Sequence, residues 1–361
     1  MQDVVVIPHV GLGGGAGMYI SQCVKVFKKY DLNVVLYGPH ARDYSDFSDC
    51  FFDGVNGSVL PNYSGIPFIV SLYHFIRTIF LVPFFLYGIS RISLSGKVIV
   101  FTSSVQALNV FFVKLFFRPK KVVILVQENW IFNNAIGFIT RPFFKGCDGV
   151  VSISRYWSDQ ARKVGIYCFI FPNFYDIDPS AFDFKHKHYD FIYVGGGGRI
   201  KGFGDFVEFI KRLGSIGIFR IVALGYYDED QLKLIRDASR AGPFFSDVNV
   251  VGLVSNPLDY IANAKVLLLP IASPHFCRPA IEAGFFHSTF LIKNHVGISD
   301  FAEPGVNCLA YSTIDEMIDI AIQLINSERL RFPLEHGNYV MSKFFIATES
   351  TDLEFMKFIL N

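Results

Sequence analysis

The sequence predicts an α/β chain folded as two domains, each around its own parallel sheet. Three observations carry this. Short apolar, β-branched runs alternate with helix-like runs over most of the 361 residues, the pattern of buried parallel strands joined by crossover helices. A strand, a glycine cluster and a helix occur at the start and again near Tyr189, so the pattern restarts. The length suits two domains better than one.

In the first half, residues 3–9, 33–38, 97–104, 121–127 and 149–154 read as buried strands, with helices over 18–30 and 155–164 among the segments between them. Residues 171–190, "FPNFYDIDPSAFDFKHKHYD", are rich in Pro, Asp and Lys and lack periodicity, which marks a linker. Beyond it come the strand and glycines of 189–198, a helix over 203–213, and strands at 219–225, 248–254, 264–271 and 288–293. The expected division is 1–178 and 179–342, with a C-terminal helix at about 343–361 packing back on the first domain.

Composition narrows the function. Hydrophobic residues at 51% and charged residues at 18% allow two large cores and argue against disorder. The net charge of +1 gives no footprint for nucleic acid. Six scattered cysteines without C-x-x-C, and nine histidines without H-E-x-x-H, point to reduced thiols and no metal. Met1 leads through Gln2-Asp3 into a strand, so no signal peptide is expected.

The first glycine loop, "VGLGGGAGMY" (10–19), fits G-x-G-x-x-A by letter between a strand and a helix. A dinucleotide site also needs an acid at the end of the second strand. Gly38-Pro39-His40 stand there, which argues against a dehydrogenase. A tight turn without ligand, or amides meeting a phosphate at a helix N-terminus, are the readings left. The second loop, "YVGGGGRIKGFGDFVEF" (193–209), places Arg199 and Lys201 at its mouth. Glycines allow close backbone approach and two cations neutralise a diphosphate; a solvated loop pair is the alternative. Further on, Glu282 lies within "AIEAG" between apolar neighbours. A buried carboxylate needs partners, and ribose hydroxyls are suitable ones; a helix-surface Glu is the alternative.

Together these motifs resemble the GT-B-fold glycosyltransferases of the retaining family four. The family's first glycine loop is matched by Gly13-Gly14-Gly15, and its "v-S" strand end by Val151-Ser152. Its "i-P-N-g-v-D" is matched by Phe171 to Asp176, and its "v-G-r … K-G" by Val194-Gly195 and Lys201-Gly202. Its "G-x-G" and "f-l-G-x-v" are matched loosely at Leu224-Gly225 and Val251–Val254. Its "E-x-F-G-x-x-x-x-E-A" falls on Pro274 to Ala283, followed by Gly297–Asp300 and Gly305–Leu309.

The resemblance spans nearly the whole chain. It implies two facing Rossmann-like domains with parallel sheets and a cleft between them, and a nucleotide diphosphate sugar as donor. Glu282 then binds the ribose. Arg199 and Lys201 meet the diphosphate, backbone near Phe276, Cys277 and Arg278 touches sugar or phosphate, and Leu253 belongs to the donor site. Amides near Gly14 and Gly15 face the phosphates from the first domain. Transfer is expected to be retaining, without metal or cofactor.

Three departures qualify it. Pro274 replaces the first Glu of the pair, which implies an altered donor sugar or an inactive protein. Arg199 precedes Lys201 by two residues where the family spaces them by five or six. Gln127-Glu128-Asn129 stand where many members carry a His, making Glu128 a candidate acceptor ligand or base; a surface loop Glu is the alternative.

The first domain also looks suited to lipid. Residues 66–89 are long enough to span a bilayer, but their polar residues share one side and Pro83 interrupts, so an amphipathic helix is expected. Between Val70 and Lys145 stand nine cations and the single acid Glu128. With 40 phenylalanines in the chain, this suits an anionic membrane surface; a Phe-rich core with solvated lysines is the alternative. The leading expectation is a glycosyltransferase acting on a lipid-linked or surface-polysaccharide acceptor, as in O-antigen or capsule biosynthesis, peripheral at the cytoplasmic membrane face. The competing expectations are a sugar-nucleotide epimerase and a degenerate nucleotide-binding relative.

Overall fold

The computed structural model describes residues 3–10, 14–48, 50–53, 79–103, 106–126, 142, 144, 146–175, 177–182, 187–244, 247–271, 276–295 and 300–361. The chain divides into two units, Met1–Phe174 with Ala347–Asn361, and Tyr175–Ile346.

The first unit holds seven strands: β1 (Asp3–Ile7), β2 (Asn33–Gly38), β3 (Cys50–Asp53), β4 (Val98–Phe101), β5 (Lys121–Val126), β6 (Gly149–Ser152) and β7 (Phe169–Ile170). They lie in the order β3-β2-β1-β4-β5-β6-β7, every neighbouring pair parallel. Val4–Val6 and Val122–Val126 are fully buried, as strands covered on both faces require. The helices are α1 (Gly14–Lys29), α2 (79–89), α3 (Ala107–Phe117) and α4 (Arg155–Lys163).

The second unit holds β8 (Tyr189–Val194), β9 (Arg220–Leu224), β10 (Asp247–Gly252), β11 (Ala264–Leu269), β12 (Thr289–Lys293) and β13 (Cys308–Tyr311). Their order is β10-β9-β8-β11-β12-β13, again parallel throughout. Its helices are α5 (Phe203–Leu213), α6 (Glu229–Ser239), α7 (Leu258–Ala262), α8 (Arg278–Phe285), α9 (Ile314–Asn326) and α10 (Glu328–Lys343). The apolar stripe of α5, from Phe203 to Leu213, enters one core with Phe191, Tyr193, Ile221 and Leu268.

The last helix, α11 (Glu349–Leu360), belongs to the first unit. Phe355 stacks on Phe171 at 4.0 Å and on Phe27 at 5.7 Å, and Asp352 pairs with Lys29 at 2.6 Å.

Some expected boundaries move. α1 begins at Gly14 rather than Met18, so Gly14 and Gly15 form its first turn. β4 stops at Phe101, and the next residue, Thr102, gives its backbone N–H to the Gln106 side-chain oxygen at 3.2 Å and its hydroxyl to the Ile7 carbonyl at 3.0 Å. In both sheets the strand order reverses direction once, between β1 and β4 and between β8 and β11. Crevices outside the carboxyl ends of strands at such points are where open parallel sheets bind ligands.

Candidate functional site

At the β8/β11 reversal the second glycine loop leaves β8. Its amides serve the loop itself. Gly195 and Gly196 both donate to the Leu224 carbonyl, and Gly197 donates to Tyr226. The N–H groups of Gly195 to Gly197 are thus spent on the end of β9 and the residue two beyond it. Gly196 and Gly225 approach so closely that a Cβ on either would meet the other segment's backbone within 2.6 Å.

What the loop offers a ligand is therefore its side chains. Residues Arg199–Lys201 form one 3-10 turn, ended by Gly202 at φ +79°. Arg199 is exposed. Lys201 is half-buried and lines a small cavity with Tyr193, Pro270, Cys277 and Pro279. Burial there pulls the Lys201 ammonium below its ordinary range, with the Cys277 thiol acting in the opposite sense. Burial pushes that thiol up to about 11, while Lys201 pulls it down.

Across the cavity α8 starts directly after Cys277, with Pro279 in its first turn, a position where the missing N–H costs nothing. α8 is held by α10: Asn338 donates to the Ala280 carbonyl at 3.1 Å and Ser342 to Ile281 at 2.8 Å. One α8 side chain, Glu282, is 6% exposed. Arg278, one turn earlier, donates to its Oε1 at 3.2 Å and lies over the Tyr175 ring at 5.0 Å. Burial raises the Glu282 pKa above the ordinary carboxylate range, and Arg278 opposes that rise.

The structure thus brings Lys201, Cys277, Arg278 and Glu282 to the carboxyl end of the second sheet, with Arg199 beside them. Phe276 is buried among Phe301 and Phe345, at 6.1 and 5.7 Å, so its ring serves the core and only its backbone is left for a ligand. Leu253, just beyond β10, is 77% exposed. In the first unit Gly14 and Gly15 open α1. Glu128 and Pro274 lie outside the described residues, as does the 66–78 part of the expected amphipathic helix.

Three features escape the sequence reading, which gives Arg278 a place in the donor site through its backbone but no side-chain role. Arg278 and Tyr175 are neighbours of Glu282, and only the i,i+4 spacing of Arg278 and Glu282 hints at it. The third is His9, at the β1/β4 reversal, whose Nδ1 lies 2.8 Å from the Thr102 hydroxyl. A titratable residue between a strand and a glycine loop was its signal.

No family model matches the chain, and no curated protein does. Solved structures do match over its length. Sucrose-phosphate synthase from Thermosynechococcus elongatus superposes with a TM-score of 0.74 at 12% identity, covering 99% of this chain and 98% of that one. Anabaena HepE in complex with UDP-glucose gives 0.72 at 12% identity, covering 99% of both. The lipopolysaccharide outer core galactosyltransferase WaaB gives 0.68 at 16%, also covering 99% of both. At these identities the likeness shows the fold: a two-domain α/β architecture of the GT-B type.

Proposed function

We propose that this protein is a glycosyltransferase that moves a sugar from a nucleotide diphosphate sugar to a lipid-linked or surface-polysaccharide acceptor, with retention of configuration and without a metal. The observation that carries it is the set of groups at the β8/β11 reversal. Glu282 is a buried carboxylate placed to accept from a ribose diol. Lys201 and Arg199 are cations placed for a diphosphate. In this reading catalysis is charge stabilisation of the leaving diphosphate by these cations, plus positioning of the acceptor hydroxyl. Two structural relatives are described as a glycosyltransferase from Rickettsia africae and the galactosyltransferase WaaB, and HepE was crystallised with UDP-glucose, which supports the same donor class. The second unit is then the donor domain and the first the acceptor domain.

The acceptor reading draws support from the first unit. Ile89 of α2 and Val110 and Val113 of α3 enter one core, so both helices cover the same face of the sheet. Their outer sides expose Phe80, Phe84 and Tyr87, and Leu115 and Phe116. Arg91, Arg118 and Lys120 are exposed nearby, and no acid occurs between residues 79 and 120. Lys114 of α3 is paired with Asp148 at 2.6 Å, and the exposed aromatic side chains with the remaining cations suit an anionic bilayer. No helix among the described residues is long and apolar enough to cross one.

A thermal-shift screen with UDP, GDP, dTDP and their sugars tests the donor reading. A stabilising shift with one base, lost in Glu282→Ala, is expected; no shift with any of them refutes it. Co-sedimentation with phosphatidylglycerol vesicles tests the surface. Binding is expected to fall in the triple variant Phe80→Ser, Phe84→Ser, Tyr87→Ser, and an unchanged bound fraction refutes it.

A further inference from the structure

Arg278 occupies the first turn of α8, where a cation opposes the helix dipole. It also precedes Glu282 at i,i+4, the less favourable order for a helical ion pair. Helix stability alone gives no reason for an arginine here. Its surroundings give one. The guanidinium lies 5.0 Å from the centre of the Tyr175 ring on one side and donates to Glu282 at 3.2 Å on another. Tyr175 is itself fixed: its backbone N–H donates to the Phe345 carbonyl at 2.8 Å, and its ring packs edge-to-face with Phe285 at 5.6 Å. The Tyr175 hydroxyl is buried and has no hydrogen-bond partner among the described residues. What Arg278 meets is the face of this ring.

We propose that Arg278, seated on Tyr175, is a positioning residue for Glu282, holding the carboxylate ionised and turned for the ribose of a nucleoside diphosphate. This rests on the donor reading above. A carboxylate removed from water protonates unless a cation compensates it, and a protonated one loses the charge-assisted bonds that two ribose hydroxyls would make. Arg278 supplies that compensation, and the planar fork of its guanidinium fixes the carboxylate's direction. Among the described residues no other cation acts on Glu282. From α10 come neutral Asn338 and Ser342, and from the start of α8 comes the Cys277 thiol, with Lys201 beyond it across the cavity.

The test is calorimetric binding of UDP, GDP and dTDP to the full chain between pH 5 and 9. In the wild type, with Arg278 holding Glu282 ionised, affinity for the preferred nucleotide should fall only toward the acid end of this range, as the carboxylate takes up a proton. In Arg278→Leu the midpoint should move up by about one pH unit or more, with binding near pH 6 reduced roughly tenfold and recovering toward pH 9. Arg278→Lys should fall between, and Glu282→Gln should bind weakly and keep only the pH dependence that Lys201 and the nucleotide's terminal phosphate contribute. Tyr175→Phe should match the wild type, whereas Tyr175→Leu should shift the midpoint in the direction of Arg278→Leu. Should Arg278→Leu not fold, the Arg278→Lys and Tyr175→Leu profiles decide. Unmoved midpoints overturn the proposal, as does a loss equal at every pH. A wild type that binds none of the three nucleotides overturns the donor reading, and this role with it.

Discussion

Gly202 ends the turn that carries Lys201, and replacing it with alanine tests whether that turn is built as described. At φ +79° an alanine is strained by about 1–2 kcal/mol. Its Cβ would also stand 1.7 Å from the Pro270 carbonyl oxygen, backbone that closes β11 and lines the same cavity. Neither contact is a flexible side chain, so the turn or the end of β11 must move, at about 1–3 kcal/mol more. The sum is roughly 2–5 kcal/mol, which for a unit of this size lowers Tm by at least about 4 °C. Gly204 is the control. It lies two residues on in the first turn of α5, at an ordinary φ with open space around its Cα, so Gly204→Ala should stabilise by about 0.4–1 kcal/mol. Calorimetric unfolding of both variants, with nucleotide binding read in parallel, decides. Gly202→Ala unfolding at the wild-type temperature, or above Gly204→Ala, would refute the tight approach of turn and strand.

Lys187 should make stability depend on pH. Burial lowers its pKa to about 7, with Glu335 opposing, while its ammonium donates to the Phe286 carbonyl at 2.7 Å. The unfolded chain then holds a proton that the folded chain releases above about pH 7, so stability rises as pH climbs from about 7 toward 10. In Lys187→Met that slope should be shallower between pH 7 and 9.5, and equal slopes in thermal melts would contradict it. Ser154 caps α4 by accepting from the Trp157 N–H at 3.1 Å, so Ser154→Ala should cost about 1 kcal/mol, or roughly 2–4 °C in Tm. Gly284→Ala would push a Cβ to 1.9 Å from the Ser342 hydroxyl and 2.5 Å from the Asn338 carbonyl. It should therefore loosen α8 from α10 and weaken nucleotide binding along with stability, and a fully stable variant with wild-type affinity would argue against α10 as the support of Glu282.

Burial on both faces makes a parallel strand legible as a continuous β-branched run, and that is why Val4–Ile7 and Val122–Val126 can be read before any coordinates. β7 is only two residues long, and β3 and β13, four residues each like the legible β4 and β6, carry no β-branched residue (CFFD and CLAY against VIVF and GVVS). Charge within an apolar context is equally legible, and it singles out Glu282. The identity of its partner is not. Arg278 and Glu282 share a helical face only once the start of α8 is known, and Tyr175 reaches them through the fold of the second unit. The glycines illustrate the opposite hazard. A run of four reads as a loop open to phosphate, yet Gly195 to Gly197 give their N–H groups to the end of β9. Flexibility in the sequence became close packing of two backbone segments in the fold. The charge left facing a ligand is consequently carried by long side chains, Arg199 and Lys201, with Arg278 acting through Glu282. Recognition at this sheet edge should therefore respond to lysine-for-arginine exchange and to pH more than a site made of backbone amides would.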